Sequence, residues 1–421
     1  MAYAEKRGKG KHPWRARYKR PDGTLGSEPG FAKKSAAEKW GEEQEAAIRA
    51  GRWVDPELGR KTFGDWAREW MKAKSPRGRT VDTRWRRLEK VILPKWEHVP
   101  LVSITWFDVE AWANRLDVDE TTVTHSVSLM SSIMTGAVDA QHILANPLYG
   151  RRRTGISASV SARRKVRKAD EEQWAPPEVV LRLADRLGPA RGLHVLVTAF
   201  AGVRWGEGCG LTRQHVLLTR KQAYGGGVFA CPTLRIEQEL VEVEERDEDG
   251  SKLGTVLRIE EPKNARSVRD IDLPPFLADL LRYHLADWPY EYVFATANGK
   301  WWRRSNWGKA LRPAADGRPE RERRQGVSAR EKWEPLQVGL TMRDLRHTHD
   351  TYQAQIGVKP VLAFEQAGHK YPGIKGTYQH PTPTMRQERL DGLQEIYERA
   401  MAALGWRTLW GRVDLKKHPR S

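Results

Sequence analysis

A chain of 421 residues with 73 Lys+Arg against 54 Asp+Glu carries a formal charge of +19, a field that favours phosphate-rich partners, nucleic acid before anionic membrane. Its 39% hydrophobic and 30% charged residues suffice for two or three globular cores and exclude wholesale disorder. No run nears the roughly 18 apolar residues of a membrane span, MAYAEKRGKGKHPW lacks the apolar core of a secretory signal, and Cys209 and Cys231 alone make neither a disulfide framework nor a four-thiolate zinc site, so a soluble protein of a reducing cytoplasm is expected.

From Pro13 to about Phe31, alternating runs around a Pro-Asp-Gly turn predict a small antiparallel sheet. Arg15, Arg17 and Lys19 alternate along its first strand and share one face, either a DNA-binding face or a solvated one. A helix is expected from Ser35, with Ala36, Trp40, Ala47 and Ile48 on one side and Ser35 with Glu38 as a capping box. Residues 1–62 are read as this N-terminal unit and 63–150 as a helical unit. In the latter, Phe63, Trp66 and Trp70 are spaced for one helix, and Val123, Val127, Met130, Met134 and Val138 form the stripe of another, expected over Thr121–Gln141. Residues 151–170 form a basic linker in which Arg151, Arg152, Arg153, Arg163 and Arg164 are candidate phosphate contacts.

The largest unit is expected over 171–395. Helical periodicity covers Pro177–Leu187 and Leu193–Val203, strand-like runs lie in TLRIEQELVEVE, TVLRIEEPK and SVRDIDLP, and helices resume at Phe276. A tail over 396–421 follows; Leu393, Ile396, Tyr397 and Met401 have helical spacing and would pack either in the chain's own core or on a neighbouring copy. The fold class expected is multidomain and mainly α with small antiparallel sheets, the last large unit being α+β.

The chain has no P-loop, no HExxH and no GxSxG, which removes the commonest motor, metalloprotease and hydrolase chemistries. Four segments stand out instead: AFAGVRWGEGCGL, EPKNARSVRDIDLPP, TMRDLRHTHDTYQAQIGV and EQAGHKYPGIKGTYQH. In this order and spacing they resemble the signature of the tyrosine recombinases, the phage-integrase family. Arg204 matches that family's first arginine, Lys263 its β-hairpin lysine, Arg346 its second arginine, His369 the histidine of its GH motif, and Tyr378 its nucleophile. One position departs: three residues before the second arginine the family usually has histidine, and here stands Arg343, a candidate third cation at the phosphate. The N-terminal WRARYKRPDG and the later GRWVDP resemble integrases of actinobacterial phages and integrative elements. By the same resemblance, residues 1–62 would bind arm-type DNA sites and 63–150 the core site.

The resemblance implies transesterification without cofactor or metal. A tyrosine oxygen attacks a DNA phosphodiester, giving a 3′-phosphotyrosyl link and a free 5′-hydroxyl. Two arginines can fork onto the non-bridging oxygens, and a lysine on a mobile β-turn suits protonation of the leaving 5′-oxygen. Glu207 and Asp344 would orient the arginines. The implied partners are double-stranded attachment sites, further copies in a homotetramer, and an excisionase or host DNA-bending protein, with no membrane; the implied location is the nucleoid of a bacterial cytoplasm. The rival readings are a Xer-like resolvase, which usually lacks an arm-binding unit, and a non-catalytic DNA-binding protein with a degenerate site.

Overall fold

The computed structural model describes residues 2–73, 78–153, 174–224, 227–248, 250–373 and 379–414. The chain divides into two compact units, Met1–Arg164 and Lys165–Ser421.

The first unit opens with an antiparallel sheet in the order β1 (Tyr3–Lys6), β2 (Trp14–Lys19), β3 (Leu25–Phe31). Strand β1 was not legible in the sequence. Alternation along β2 buries Ala16 and Tyr18 and turns Arg15, Arg17 and Lys19 to the other face. Helix α1 (Lys34–Arg49) packs on the sheet, with the Tyr18 ring edge-on to Trp40 at 5.6 Å. Two expectations for α1 need correction. The helix begins one residue earlier, at Lys34, with Lys33 as N-cap and no side-chain cap, so Ser35 lies inside it. Its buried face is centred on Ala37 and Gly41 while Ala36 is exposed, because the sheet comes closest at Gly41, 3.3 Å from the Arg17 carbonyl to the position a Cβ would take.

The helical part follows with α2 (Phe63–Ala73), α3 (Gly78–Arg87), α4 (Trp106–Arg115) and α5 (Glu120–Asp139). Phe63 and Trp70 of α2 and Val123, Met130 and Met134 of α5 are buried, so the aromatic and methionine stripes are core. Asp119 caps α5 by accepting from Thr122 N–H at 2.8 Å.

The second unit is built around α6 (Pro177–Ala201), two helical runs separated by non-helical Gly188 (φ 73°, ψ 174°). Residues 192–201 are buried throughout; each fully buried Leu, Val or Phe there stabilises by roughly 1.5–3 kcal/mol. After the short α7 (Trp205–Gly210), β4 (Val216–Tyr224), β5 (Gly227–Ile236) and β8 (Arg269–Asp272) form one antiparallel sheet, while β6 (Glu239–Arg246) and β7 (Lys252–Glu260) form a separate hairpin. Helices α8 (Pro275–Asp287), α9 (Arg304–Asp316), α10 (Met342–Gln355), α11 (Pro360–Ala367) and α12 (Pro383–Ala403) complete the body. Leu393, Ile396, Tyr397 and Met401 are buried in this core, Tyr397 stacked on Phe276 at 3.8 Å. Among the described residues, those after Asp391 therefore pack in the chain's own core, and α12 runs through residue 395 without a break.

Candidate active site

Arg204 leaves the end of α6 just after Gly202 and caps α7, its backbone N–H donating to Glu207 Oε2 at 2.9 Å. Its Nη1 donates to Glu207 Oε1 at 2.6 Å, and its Nη2 lies 3.2 Å from His369 Nε2. Arg346, on the first turns of α10, donates from Nη1 to the Gly202 carbonyl and from Nη2 to the Ala367 carbonyl at 2.8 Å. Three segments far apart in sequence thus meet through two guanidiniums and an imidazole. Gly202 makes the meeting possible: its φ of 66° is left-handed, and a Cβ there would sit 2.5 Å from His349 Cδ2.

Glu207 is the buried counter-charge. It takes Arg269 Nη1 at 3.1 Å and Nη2 at 3.0 Å, and Arg346 Nη1 lies 4.0 Å away. Burial alone would raise its pKa, yet Arg269 and then Arg204 overcome that and hold it at about 2. Arg346 is pulled down to about 10 by burial and by Arg204, with Glu207 opposing. His369 follows left-handed Gly368 at the end of α11, and burial, Arg346 and Arg204 lower its pKa below the usual 6.5. The uncharged ring can therefore sit beside two guanidiniums, and the site presents convergent N–H donors with a positive balance, the arrangement that binds an oxyanion.

The remaining expected residues are distributed differently. Lys263 is exposed and lies on the link between β7 and β8, strands of two different sheets, rather than on a hairpin turn. It is electrostatically close to the site: Glu239, whose pKa is raised by burial and by Glu207, is pulled back by Lys263 and Arg204. Arg343 is exposed on α10 and donates to His347 Nε2 at 3.3 Å; among the described residues no hydrogen bond or ion pair joins it to Arg204, Glu207 or His369. The helical spacing that puts Arg346 at the site puts Arg343 nearly a full turn earlier on α10. Tyr378 lies outside the described residues. Beside His369 opens a cavity of about 390 Å³, lined by Arg266, Arg269, Phe364, His369, Tyr371 and His380 among others.

Among the described residues Asp344 meets no arginine side chain. Its carboxylate accepts from Thr341 N–H at 2.8 Å and Oγ1 at 2.7 Å, a capping box at the start of α10. Sequence reading missed Arg269, which besides Glu207 reaches the Gln366 carbonyl at 2.8 Å and so ties β8 to the helix before His369. Its signal was faint: a basic residue at an alternating position of SVRDIDLP where a core strand would carry an apolar one.

In the first unit, Arg17 pairs with Glu5 at 3.0 Å across the sheet, while Arg15 and Lys19 share its face. Arg151 and Arg152 are exposed, whereas Arg153 is committed to Glu120 at 2.5 Å and Asn114 at 2.8 Å. Arg163 and Arg164 lie outside the described residues. No helix among the described residues is long and apolar enough to cross a membrane.

No family model matches the chain. Among sequence relatives it is similar to a prophage phiRv2 integrase of Mycobacterium tuberculosis, 26% identical over 380 residues covering 87% of this chain and 88% of that protein. It is 23% identical over 368 residues to the integrase of Mycobacterium phage L5, covering 83% and 85%. Among solved structures, a Tn1549 transposon integrase bound to transposon right-end DNA aligns with a TM-score of 0.48 at 15% identity, covering 80% of this chain and 99% of that one.

Proposed function

We propose that the chain is a site-specific tyrosine recombinase of the phage-integrase type, which cuts and rejoins DNA through a 3′-phosphotyrosyl intermediate to integrate or excise a phage or mobile element. The observation that carries this reading is the convergence of Arg204, Arg346 and His369 around buried Glu207 in a chain whose relatives over most of its length are phage integrases.

In this reading the scissile phosphodiester sits against Arg204 and Arg346, with His369 donating a further hydrogen bond to a non-bridging oxygen. The Tyr378 oxygen bonds to phosphorus, the bond to the 5′-oxygen breaks, and Lys263 delivers the proton that makes that oxygen an adequate leaving group. A phenol with an ordinary pKa of about 10 is mostly protonated at neutral pH, and the surrounding cations favour its loss of the proton. Religation runs the same steps backwards, so the phosphotyrosyl bond conserves the energy of the broken one and no external energy source is needed. Arg269 holds Glu207 in place, and Glu207 sets the charge that the arginines present. Arg343 is assigned to the phosphate only when DNA is bound, since it is engaged with His347 here.

The DNA partners are double-stranded attachment sites. Each tyrosine opens one strand, so exchanging the four strands of two duplexes takes four active sites, hence a homotetramer on DNA. Arg15, Arg17 and Lys19 are assigned to arm-type sites, with residues 63–150 and the catalytic unit on the core site, the exposed Arg151 and Arg152 tracking phosphates between them. An excisionase or host DNA-bending protein would set direction, and the place of action is the nucleoid of a bacterial cell.

The test is covalent capture. On a nicked suicide substrate the wild-type chain should give a slow-migrating protein–DNA band that survives denaturation, and Tyr378→Phe should give none while binding the same duplex with unchanged affinity. A band that persists in the variant rejects Tyr378 as nucleophile; DNA binding without a band in either protein favours the non-catalytic reading.

A further inference from the structure

Between α9 and α10 the chain leaves the body of the second unit as a ribbon over residues 317–338. Arg318 pairs with Trp333, Arg321 with Arg330, and Arg324 with Val327, each antiparallel and closed by two backbone hydrogen bonds of 2.9–3.1 Å. The base is pinned. Leu336 N–H and Gln337 N–H donate to the Ala315 carbonyl at 2.9 and 3.2 Å, and Gly339 N–H donates to Asp316 Oδ1 at 2.8 Å. The Trp333 ring receives the Arg318 guanidinium at 3.3 Å and that of Arg186 at 5.2 Å. Gly317 starts the ribbon with φ 86°, where a Cβ would lie 2.7 Å from the Trp333 carbonyl. Beyond the base the ribbon is open: residues 321–329 are all exposed.

A connection of this length costs conformational entropy to order and buries little in return, which is the mark of a segment kept for binding. Its charge says what it binds. Arg318, Arg321, Arg323, Arg324, Arg330 and Lys332 stand against Glu320, Glu322, Glu331 and Glu334. Arg318 is spent on Trp333, Arg321 on the Ser328 carbonyl at 3.1 and 2.9 Å and Lys332 on Glu334 at 2.5 Å, so among the described residues the uncommitted cations of the ribbon are Arg323 and Arg324 at its exposed outer end and the half-buried Arg330. From the first bridge to the last the strand advances six residues, roughly 20 Å at the usual rise, and a two-stranded ribbon is narrow enough for a major groove about 12 Å wide.

We propose that this ribbon is a second DNA-contacting element, separate from the site that holds the scissile phosphate, and that Arg323, Arg324 and Arg330 neutralise backbone phosphates of the same duplex. The proposal rests on the reading of the chain as a DNA recombinase. Its base adjoins both the entry of the chain into this unit, where Gln337 Nε2 donates to the Trp174 carbonyl at 3.1 Å, and the start of the helix that carries Arg346. A duplex seated on Arg346 therefore lies within reach of the ribbon's side of the unit.

The experiment measures equilibrium binding of the full chain to a core-site duplex against salt, for wild type and for the triple variant Arg323→Gln/Arg324→Gln/Arg330→Gln. Each lost phosphate contact should lower the slope of log K against log salt by about 0.9, so the variant should lose about 2–3 from the slope. Glu320→Gln/Glu322→Gln should move the other way and bind more tightly, a result that damaged folding could not imitate. Arg323→Lys/Arg324→Lys should keep the wild-type slope. An unchanged slope in the triple variant overturns the proposal, as does a variant that keeps the slope but loses assembly on DNA in sedimentation, which would assign the ribbon to a second copy of the chain. Covalent capture on the suicide substrate at saturating protein is run alongside: its absence in wild type rejects the recombinase reading, whereas its presence with an unchanged slope rejects only the ribbon.

Discussion

Replacing Glu207 by glutamine keeps the shape of the side chain and removes one charge from the centre of the site. The carboxylate is 3% exposed and sits among Arg204, Arg269 and Arg346. Its pKa falls from an ordinary 4.5 to about 2, and at 1.36 kcal/mol per pH unit the ionised form contributes roughly 3 kcal/mol to folding at neutral pH. An independent estimate agrees: removing one partner of a buried ion pair costs about 3–5 kcal/mol, because the other charge is left unbalanced, here Arg269 with 4% exposure. The sign follows from the depressed pKa. The stabilisation is complete above about pH 4.5 and is lost as pH falls toward 2, so the gap between wild type and Glu207→Gln should narrow on acidification. The chain offers a reporter for this unit alone, since Cys209 and Cys231 are its two cysteines and both are buried in it. Pulsed thiol labelling across a urea series, with the pulse always at pH 8, reads the fraction of this unit unfolded. A variant within about 0.5 kcal/mol of wild type at pH 7 would show that the arginines are balanced by solvent rather than by Glu207.

Arg343→Ala should slow single-turnover cleavage at saturating protein by roughly 10²- to 10³-fold if Arg343 turns to the phosphate when DNA binds, with Arg343→His retaining much more activity; a rate within about twofold of wild type removes Arg343 from the site. Buried His194 is pushed down to about 3 by desolvation, and His349 goes the same way through burial and then Arg389. With folded pKa values below the unfolded 6.5, their stability is complete above that pH and falls as pH drops, His194 alone contributing roughly 1.4 kcal/mol per pH unit between about pH 6 and 4. Thiol labelling should show the slope reduced by about that amount in His194→Gln; an unaltered slope would mean that His194 is not neutral in the fold. The triple change of Arg15, Arg17 and Lys19 to Gln should weaken binding to arm-type DNA while leaving cleavage of a short core site intact, as read by gel shift and covalent capture, and normal arm binding would make that face merely solvated.

What the sequence made legible was what is local or periodic. The stripes of α2 and α5, the alternation of β2 and the spacing of the four segments around Arg204, Lys263, Arg346 and His369 depend on neighbours a few residues apart or on a resemblance carried by short motifs. What it hid depends on contacts across the chain. Arg269 is one basic residue among many in a chain with 73 Lys+Arg, and its closure on Glu207 exists only once β8 lies against α7. The same holds for Asp272, fully buried and met by Arg386 at 2.7 Å from a helix more than a hundred residues later. The capping pattern of Ser35 and Glu38 does not set the start of α1, because the sheet fixes the helix by the close approach at Gly41. The family resemblance puts Lys263 on a hairpin turn, whereas the strands on either side of it pair with different partners, which short motifs cannot reveal.

The charge balance of the site bears on which state it holds best. Arg204, Arg269 and Arg346 bring three positive charges and Glu207 one negative, while the lowered pKa of His369 leaves its ring neutral. Two positive charges remain within this cluster, before Lys263 and, on DNA binding, Arg343 are added in the proposed mechanism. A phosphodiester in the ground state carries one negative charge, and bond formation from a deprotonated tyrosine adds a second that spreads over the non-bridging oxygens. On the proposed mechanism the positive charge exceeds what the ground-state phosphodiester carries and favours the pentacoordinate state, the differential stabilisation that lowers a barrier instead of merely tightening binding. Glu207 sets this excess. Without it the site would carry three charges and would hold the starting phosphodiester more strongly, so Glu207→Gln should tighten binding to uncleaved DNA even as it lowers the stability of the unit. Measured together on an intact core site, with binding under conditions where the variant is fully folded, the two changes should have opposite signs; weaker binding in the folded variant would mean that Glu207 acts by holding the planes of Arg204 and Arg269 rather than by setting the charge.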